Sequence, residues 1–242
     1  MSKYHHAIVV GASSGIGREL TLLLAESGCK VAAVARRGDR LEELERAHPD
    51  LVFGVVHDVI AYDDVPALFV ETTGRLGGLD LVVYCSGVMP EVGPSEFDFD
   101  KDCSMIEVNA LGAVAWLNQA ATRFQNTRSG TIVGLGSVAG ERGRVGQPVY
   151  NASKAFLHAY LEALRNRLSK HGVTVTTIKP GPVQTEMTAR LNLAGAMPAK
   201  DAARMILAKA SLGRDCFLKP THRLIFWIIR NFPTRLFRKL KV

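Results

Sequence analysis

The sequence predicts an α/β protein, a doubly wound fold with a seven-stranded parallel sheet in the order 3-2-1-4-5-6-7 and a C-terminal amphipathic helical tail. Three observations carry that prediction. Short β-rich runs alternate with helical patterns along the chain, which is how βαβ units read in sequence. The first run opens directly into a glycine-rich turn followed by a helical pattern. Over 242 residues, 47% apolar and 22% charged side chains suit one sizeable core in a globular chain rather than a disordered one.

The strands are expected at Ala7–Val10, Lys30–Ala35, Val52–His57, Leu79–Tyr84, Gly130–Leu135, Val173–Ile178 and Asp215–Leu218. Helical patterns fill the gaps at Ile16–Ser27, Leu41–Ala47, Val65–Arg75, Lys101–Arg123, Val149–Lys170 and Lys200–Ala210. Right-handed crossovers then leave few topologies other than the doubly wound one. Residues 1–220 read as one domain and 221–242 as its basic tail, with no repeat or linker between. The longest irregular stretch, Gly181–Pro198, follows the sixth strand, where a substrate lid would sit.

The turn after the first strand reads Gly11-Ala12-Ser13-Ser14-Gly15-Ile16-Gly17. Glycines let backbone approach a pyrophosphate closely, and the amides and positive end of the next helix meet its charge. Taken alone, such a turn is an ordinary tight connection; at the N-terminal end of a βαβ unit it points to a dinucleotide. The second strand ends Ala35-Arg36-Arg37, where an NAD site places an acid for the ribose hydroxyls. Ala35 cannot serve, whereas Arg36 and Arg37 suit a 2′-phosphate, which predicts NADP, with NADPH preferred over NADH. Two solvated arginines are the alternative. Asp58-Val59 falls at the adenine position, or Asp58 caps a helix.

Tyr150 and Lys154 lie four residues apart, on one face of a helical run. A free phenol titrates near 10, so a tyrosine acting as acid and base near neutrality needs a neighbouring ammonium, and about three pKa units require roughly 4 kcal/mol. On its own the pair reads as a surface contact. Ser137 closes the fifth strand at its carboxyl end, where doubly wound folds bind ligands, and Asn109 interrupts an apolar helical run, so its amide needs a partner. A water-linked relay from Asn109 to Lys154 is one arrangement.

Together these motifs resemble the single-domain short-chain dehydrogenases/reductases. The similarity covers about residues 5–220 and rests on Gly11-x-x-x-Gly15-x-Gly17, Asn109, Ser137, Tyr150-x-x-x-Lys154 and Pro180-Gly181-Pro182-Val183-Gln184-Thr185, in family order. It implies a Rossmann-type fold, ketone–alcohol interconversion by hydride transfer, and a catalytic set of Asn109, Ser137, Tyr150 and Lys154. It further implies a cofactor held by Gly11, Ser13, Ser14, Gly15, Ile16, Gly17, Arg36, Arg37, Asp58, Val59, Gly87, Tyr150, Lys154, Pro180, Gly181, Val183 and Thr185. Two positions depart from the family: Val10 stands where Thr is usual, and Tyr84-Cys85-Ser86-Gly87 replaces Asn-Asn-Ala-Gly.

Charge is uneven. From Lys219 to Val242 there are seven Lys or Arg and no acid, which leaves 23 basic against 23 acidic residues in the body. Large apolar residues run from Leu224 to Ile229, and Pro233 divides the segment. An interfacial helix pair on anionic lipid and a seam between subunits of a homo-dimer or homo-tetramer fit equally. Nucleic acid fits less well, because the cations sit among aliphatic residues. Cys29, Cys85, Cys103 and Cys216 form no CxxC pair and the histidines have no ligand spacing, so no metal is expected and thiols are expected reduced. With no apolar run long enough to span a bilayer and no signal peptide, the chain is expected in the cytoplasm, in peripheral contact with a membrane's inner face on the interfacial reading.

A narrower stretch, Ser137-Val138-Ala139-Gly140-Glu141-Arg142-Gly143-Arg144 with the Phe232–Leu240 ending, resembles reductases of decaprenylphosphoryl-2-keto-erythro-pentose. That resemblance implies a polyprenyl-phospho keto-sugar substrate, with Arg142 and Arg144 on its phosphate. A soluble reductase of small ketones or acyl thioesters, and a non-catalytic NADP-sensing scaffold, are the competing readings.

Overall fold

A computed structural model describes residues 3–191, 193 and 195–238. The strands are β1 (His6–Val10), β2 (Lys30–Ala35), β3 (Val52–Val56), β4 (Leu81–Tyr84), β5 (Gly130–Leu135), β6 (Val173–Lys179), β7 (Val183–Gln184), β8 (Met197–Pro198) and β9 (Asp215–Phe217). Seven form one sheet in the order β3-β2-β1-β4-β5-β6-β9, and every neighbouring pair is parallel. This is the predicted order, with β7 and β8 forming a separate two-residue ribbon. The order in which strands are added reverses between β1 and β4, which run parallel, so the crevice beyond their carboxyl ends is where this topology opens a ligand site.

The helices are α1 (Gly15–Glu26), α2 (Gly38–Ala47), α3 (Val65–Leu76), α4 (Phe99–Ile106), α5 (Gly112–Thr127), α6 (Pro148–Leu168), α7 (Ala199–Lys209), α8 (Pro220–Asn231) and α9 (Thr234–Phe237). They cover both faces of the sheet, and strand alternation explains how. In β1, Ala7 and Val9 join a core with Leu20 of α1 and Ile206 of α7, while Ile8 and Val10 join a second core with Trp116 of α5 and Leu161 of α6. All eight of these side chains are fully buried. Gly134 lets α6 approach β5, since a Cβ there would meet Leu161 Cδ1 at 2.3 Å.

Two expectations need correction. The helix read as continuous over Lys101–Arg123 is instead α4 and α5 joined by a π-helical turn, Glu107–Leu111. The extra residue per turn frees the Val108 carbonyl, which accepts the hydroxyl of the buried Tyr84 at 2.6 Å. The stretch Gly181–Pro198 also carries structure: the β7–β8 ribbon and a 3-10 helix at Glu186–Leu191. The tail divides at Pro233 as predicted, between α8 and α9. The cations Lys239 and Lys241 of its basic run lie outside the described residues.

Candidate active site

Above the carboxyl ends of the central strands lies a cleft of about 1030 Å³. Every residue assigned above to the cofactor lines it, as do Ser137, Tyr150 and Lys154.

At one end is the glycine turn. Gly11 has φ +92°, and a Cβ there would meet the Ser86 nitrogen at 2.6 Å; a Cβ on Gly17 would strike the Gly11 carbonyl oxygen at 2.1 Å. The turn therefore tolerates no side chain at either position. α1 begins without a side-chain cap and with no acid in its first turn, so its leading amides stay available to an anion. Arg37 donates from Nε and Nη2 to Ser13 Oγ at 3.2 and 3.1 Å and pairs with Glu186 at 2.9 Å. Arg36 reaches Asp58 at 3.5 Å, and Asp58 also accepts the Ile60 amide at 3.3 Å. Asp58 lines the cleft and caps no helix: the 3-10 turn that follows, Tyr62–Asp64, is preceded by Ala61 and has no side-chain cap. These residues fit a dinucleotide: close backbone for a pyrophosphate, and guanidiniums beside a hydroxyl for the ribose end.

At the other end, α6 presents Tyr150 and Lys154 on one face, and the Lys154 Nζ lies 5.8 Å from the Tyr150 ring centre. Lys154 is only 4% exposed and donates to the Leu135 carbonyl at 3.1 Å. Burial pushes its ammonium down to about 8. Tyr150 departs from expectation. Burial raises its phenol above 10, while the nearby Ser137 hydroxyl and the Arg144 charge pull it the other way. Desolvation of a phenolate outweighs the help its neighbours give, so the chain alone holds Tyr150 protonated. Ser137 Oγ accepts the Ala139 amide at 3.1 Å, and its hydroxyl faces the Tyr150 phenol across the cleft.

Asn109 sits behind the cleft wall in the π turn, fully buried. It accepts the Val88 amide at 2.7 Å and donates to the Val88 carbonyl and Ser153 Oγ at 3.0 and 3.1 Å. Its direct partners are thus the β4–α4 loop and α6 rather than Lys154. Gly87 brings the two close, since a Cβ there would lie 3.2 Å from Asn109 Oδ1 and 3.4 Å from Lys154 Nζ.

Residues 5–195 match the family model described as short chain dehydrogenase. The chain belongs to the short-chain dehydrogenase family. It is accordingly an NAD(P)-dependent oxidoreductase using a nicotinamide cofactor. An uncharacterised oxidoreductase of Myxococcus xanthus (strain DK1622) is 38% identical over 192 residues, 78% of this chain and 76% of that one. Another, from Staphylococcus aureus (strain MRSA252), is 34% identical over 187 residues, 77% of this chain and 81% of that one. Among solved structures, the closed form of serine dehydrogenase complexed with NADP+ is similar in fold, with TM-score 0.83 at 24% identity over 89% of this chain and 95% of that one.

In this short-chain dehydrogenase the narrower resemblance fails at one residue. Arg142 does not face the cleft. It donates to the Ile229 and Phe232 carbonyls at 2.6 and 2.5 Å and lies 4.0 Å over the Phe237 ring, clamping α8 to α9. The orphan carbonyls at the end of α8 need donors, and Arg142 supplies them. Arg144 does line the cleft, with its buried Nε lacking a hydrogen-bond partner among the described residues.

Several dehydrogenase residues escape the sequence reading. Glu186 and Arg190 come from the 3-10 helix, and Arg190 donates to the Met89 carbonyl at 2.5 Å across the cleft. Behind Ser137, His158 Nε2 accepts the Ser137 amide at 3.3 Å, and its Nδ1 faces Glu141 at 3.5 Å. Glu141 and Asp215 hold the buried Lys179 at 2.7 and 2.6 Å. Burial first, then the Lys179 charge, drives the imidazole down to about 3, so it stays neutral. No local pattern announces such a cluster, because its members come from four separate segments.

Proposed function

We propose that this chain is an NADP(H)-dependent reductase that interconverts a ketone and a secondary alcohol, with Tyr150 as acid and base. The observation that carries this reading is the position of Tyr150, Lys154 and Ser137 at one end of the cleft whose other end is the glycine turn.

The bound cofactor supplies or accepts hydride at the substrate carbon. The chain's own residues handle the oxygen. Ser137 donates a hydrogen bond from its hydroxyl to the carbonyl oxygen and polarises it, keeping its own proton. Tyr150, held protonated by burial, gives its proton to that oxygen as negative charge develops there. Lys154, fixed by the Leu135 carbonyl, keeps a cation near the phenolate that results and would hold ribose hydroxyls of the bound cofactor. Asn109 is a positioning residue that ties Val88 to Ser153 and so fixes the wall behind Lys154.

NADP over NAD is supported by Arg37 and Ser13 standing beside the glycine turn with no acid at Ala35. A 2′-phosphate would take Arg37 from Glu186. The substrate itself carries an anionic group on this reading. The carboxylates among the described lining residues, Asp58 and Glu186, are paired at the adenosine end, whereas Arg144 and Arg190 stand in the cleft without ion pairs among the described residues.

Purified protein with NADPH and a panel of neutral, carboxylated and phosphorylated ketones tests the proposal. NADPH consumption is expected, fastest with anionic ketones. NADPH binding without turnover on any member favours the non-catalytic alternative and overturns the reading; equal rates on neutral and anionic ketones remove only the anionic preference.

A further inference from the structure

The tail helix α8 carries three unlike sides. His222, Phe226 and Ile229 turn inward. Phe226 stacks on Phe217 with ring centres 6.2 Å apart, and a Cβ on Gly181 would meet the His222 ring at 2.3 Å. Leu224, Ile225 and Ile228 recur on the outer side and are 63%, 46% and 48% exposed, with Trp227 beside them at 65%. Isolated exposed apolar residues are ordinary, but four adjacent large ones on one helix mark a contact surface.

The third side holds the charge. Arg223, Trp227 and Arg230, at helical spacing, line a groove of about 520 Å³ together with Lys209 and Arg214. Two other cations of this groove, Arg165 and Lys179, are neutralised by Asp215 and Glu141. Lys209, Arg214, Arg223 and Arg230 make no ion pair among the described residues, and Glu162 is the remaining carboxylate among the described lining residues. The Arg142 clamp fixes α8 in place, so the apolar side and the basic groove keep a set relation to the body.

We infer that α8 docks this protein on an anionic lipid bilayer, with Leu224, Ile225, Trp227 and Ile228 in the interfacial layer and the adjoining groove taking lipid phosphates. Charge decides the occupant. A second copy meeting this face about a twofold axis would bring a like set of unpaired cations against it, whereas an anionic surface neutralises them. An amphipathic helix with cations beside its apolar side and a tryptophan between them lies in the plane of such an interface. No helix among the described residues is long and apolar enough to cross a membrane, so the attachment is peripheral. The inference does not rest on the proposed reaction.

Flotation of the full chain with vesicles tests it, using phosphatidylcholine alone against phosphatidylcholine with phosphatidylglycerol. The chain is expected to float with the anionic vesicles only, and high salt should release it. Arg223→Gln with Arg230→Gln should lower partitioning about 30-fold, two cations at about 1 kcal/mol each. Leu224→Ser with Ile228→Ser should abolish flotation. An unchanged far-UV spectrum and NADPH titration show that each variant is folded. Equal behaviour with both vesicle types overturns the inference, as does undiminished flotation of either double variant. A wild-type dimer that these substitutions split, without flotation, assigns the face to a second copy instead.

Discussion

The two ends of the cleft are built on opposite electrostatic plans. At the adenosine end, cations are exposed and already partnered: Arg36 with Asp58 and Arg37 with Glu186, both arginine side chains more than 40% accessible. At the reacting end Lys154 is buried and Tyr150 half-buried, and desolvation is the largest influence on each, lifting the Tyr150 phenol and lowering the Lys154 ammonium to about 8. Exposed pairs exchange partners at small cost, which suits selection among cofactors. Buried groups respond strongly to any change of charge, which suits chemistry. The difference predicts that substitutions at the reacting end are felt in rate and in pH dependence, and those at the adenosine end in cofactor choice.

The largest effect should come from Lys154→Met. It removes the buried cation while keeping much of the side-chain volume, and turnover should fall about 10²- to 10⁴-fold. A rate within ten-fold of wild type would place the chemistry elsewhere. In the wild type, activity should change through about pH 8 as Lys154 loses its proton, and steady-state rates across that range check this.

Next is acid stability. His158 is held neutral to about pH 3, whereas an unfolded histidine takes up its proton near 6.5. The unfolded chain therefore binds more protons between those values, and stability should drop as pH falls from about 6.5 toward 3. A few kcal/mol is the scale of the loss. Urea midpoints measured across this range should decline, and His158→Leu should flatten the decline. A profile identical in both proteins would remove His158 as its source.

At the adenosine end the effects are smaller. Arg37→Ala should weaken NADPH about 10- to 100-fold and NADH little, the range of a charge-assisted hydrogen bond. Equal weakening of both would break the assignment of Arg37 to the 2′-phosphate. Glu186→Gln should tighten NADPH up to about five-fold, since it frees Arg37 from an exposed ion pair. Fluorescence titration of both cofactors resolves each case.

Much of this was legible in the sequence because it is local. The strands lie within about two residues of their expected places, since each is a short apolar run bounded by turn residues. The glycine turn, Arg36-Arg37, Ser137 and the Tyr150–Lys154 spacing are likewise written over a few positions, and the topology then gathers them at one cleft. What escaped depends on contacts between distant segments. Arg142 looks like a free cation near a strand end, yet its partners lie some 90 residues later at Ile229 and Phe232. Glu186 is one acid in an irregular stretch until the fold sets it against Arg37. The π turn at Glu107–Leu111 leaves the apolar periodicity nearly intact, so its insertion is visible only where Tyr84 bonds Val108. The Tyr150 phenol was expected to be lowered by Lys154. Its rise reflects the desolvation it meets half-buried in the cleft wall, and desolvation is a property of the packed molecule.

Tyr150→Phe, with NADPH binding and carbonyl reduction measured on the same sample, tests the account most directly. The ring still packs and the cradle is untouched, so NADPH should bind within a few-fold of wild type while turnover falls at least about 100-fold. Turnover near the wild-type rate with cofactor bound would contradict it, because the substrate oxygen would then be taking its proton from another group.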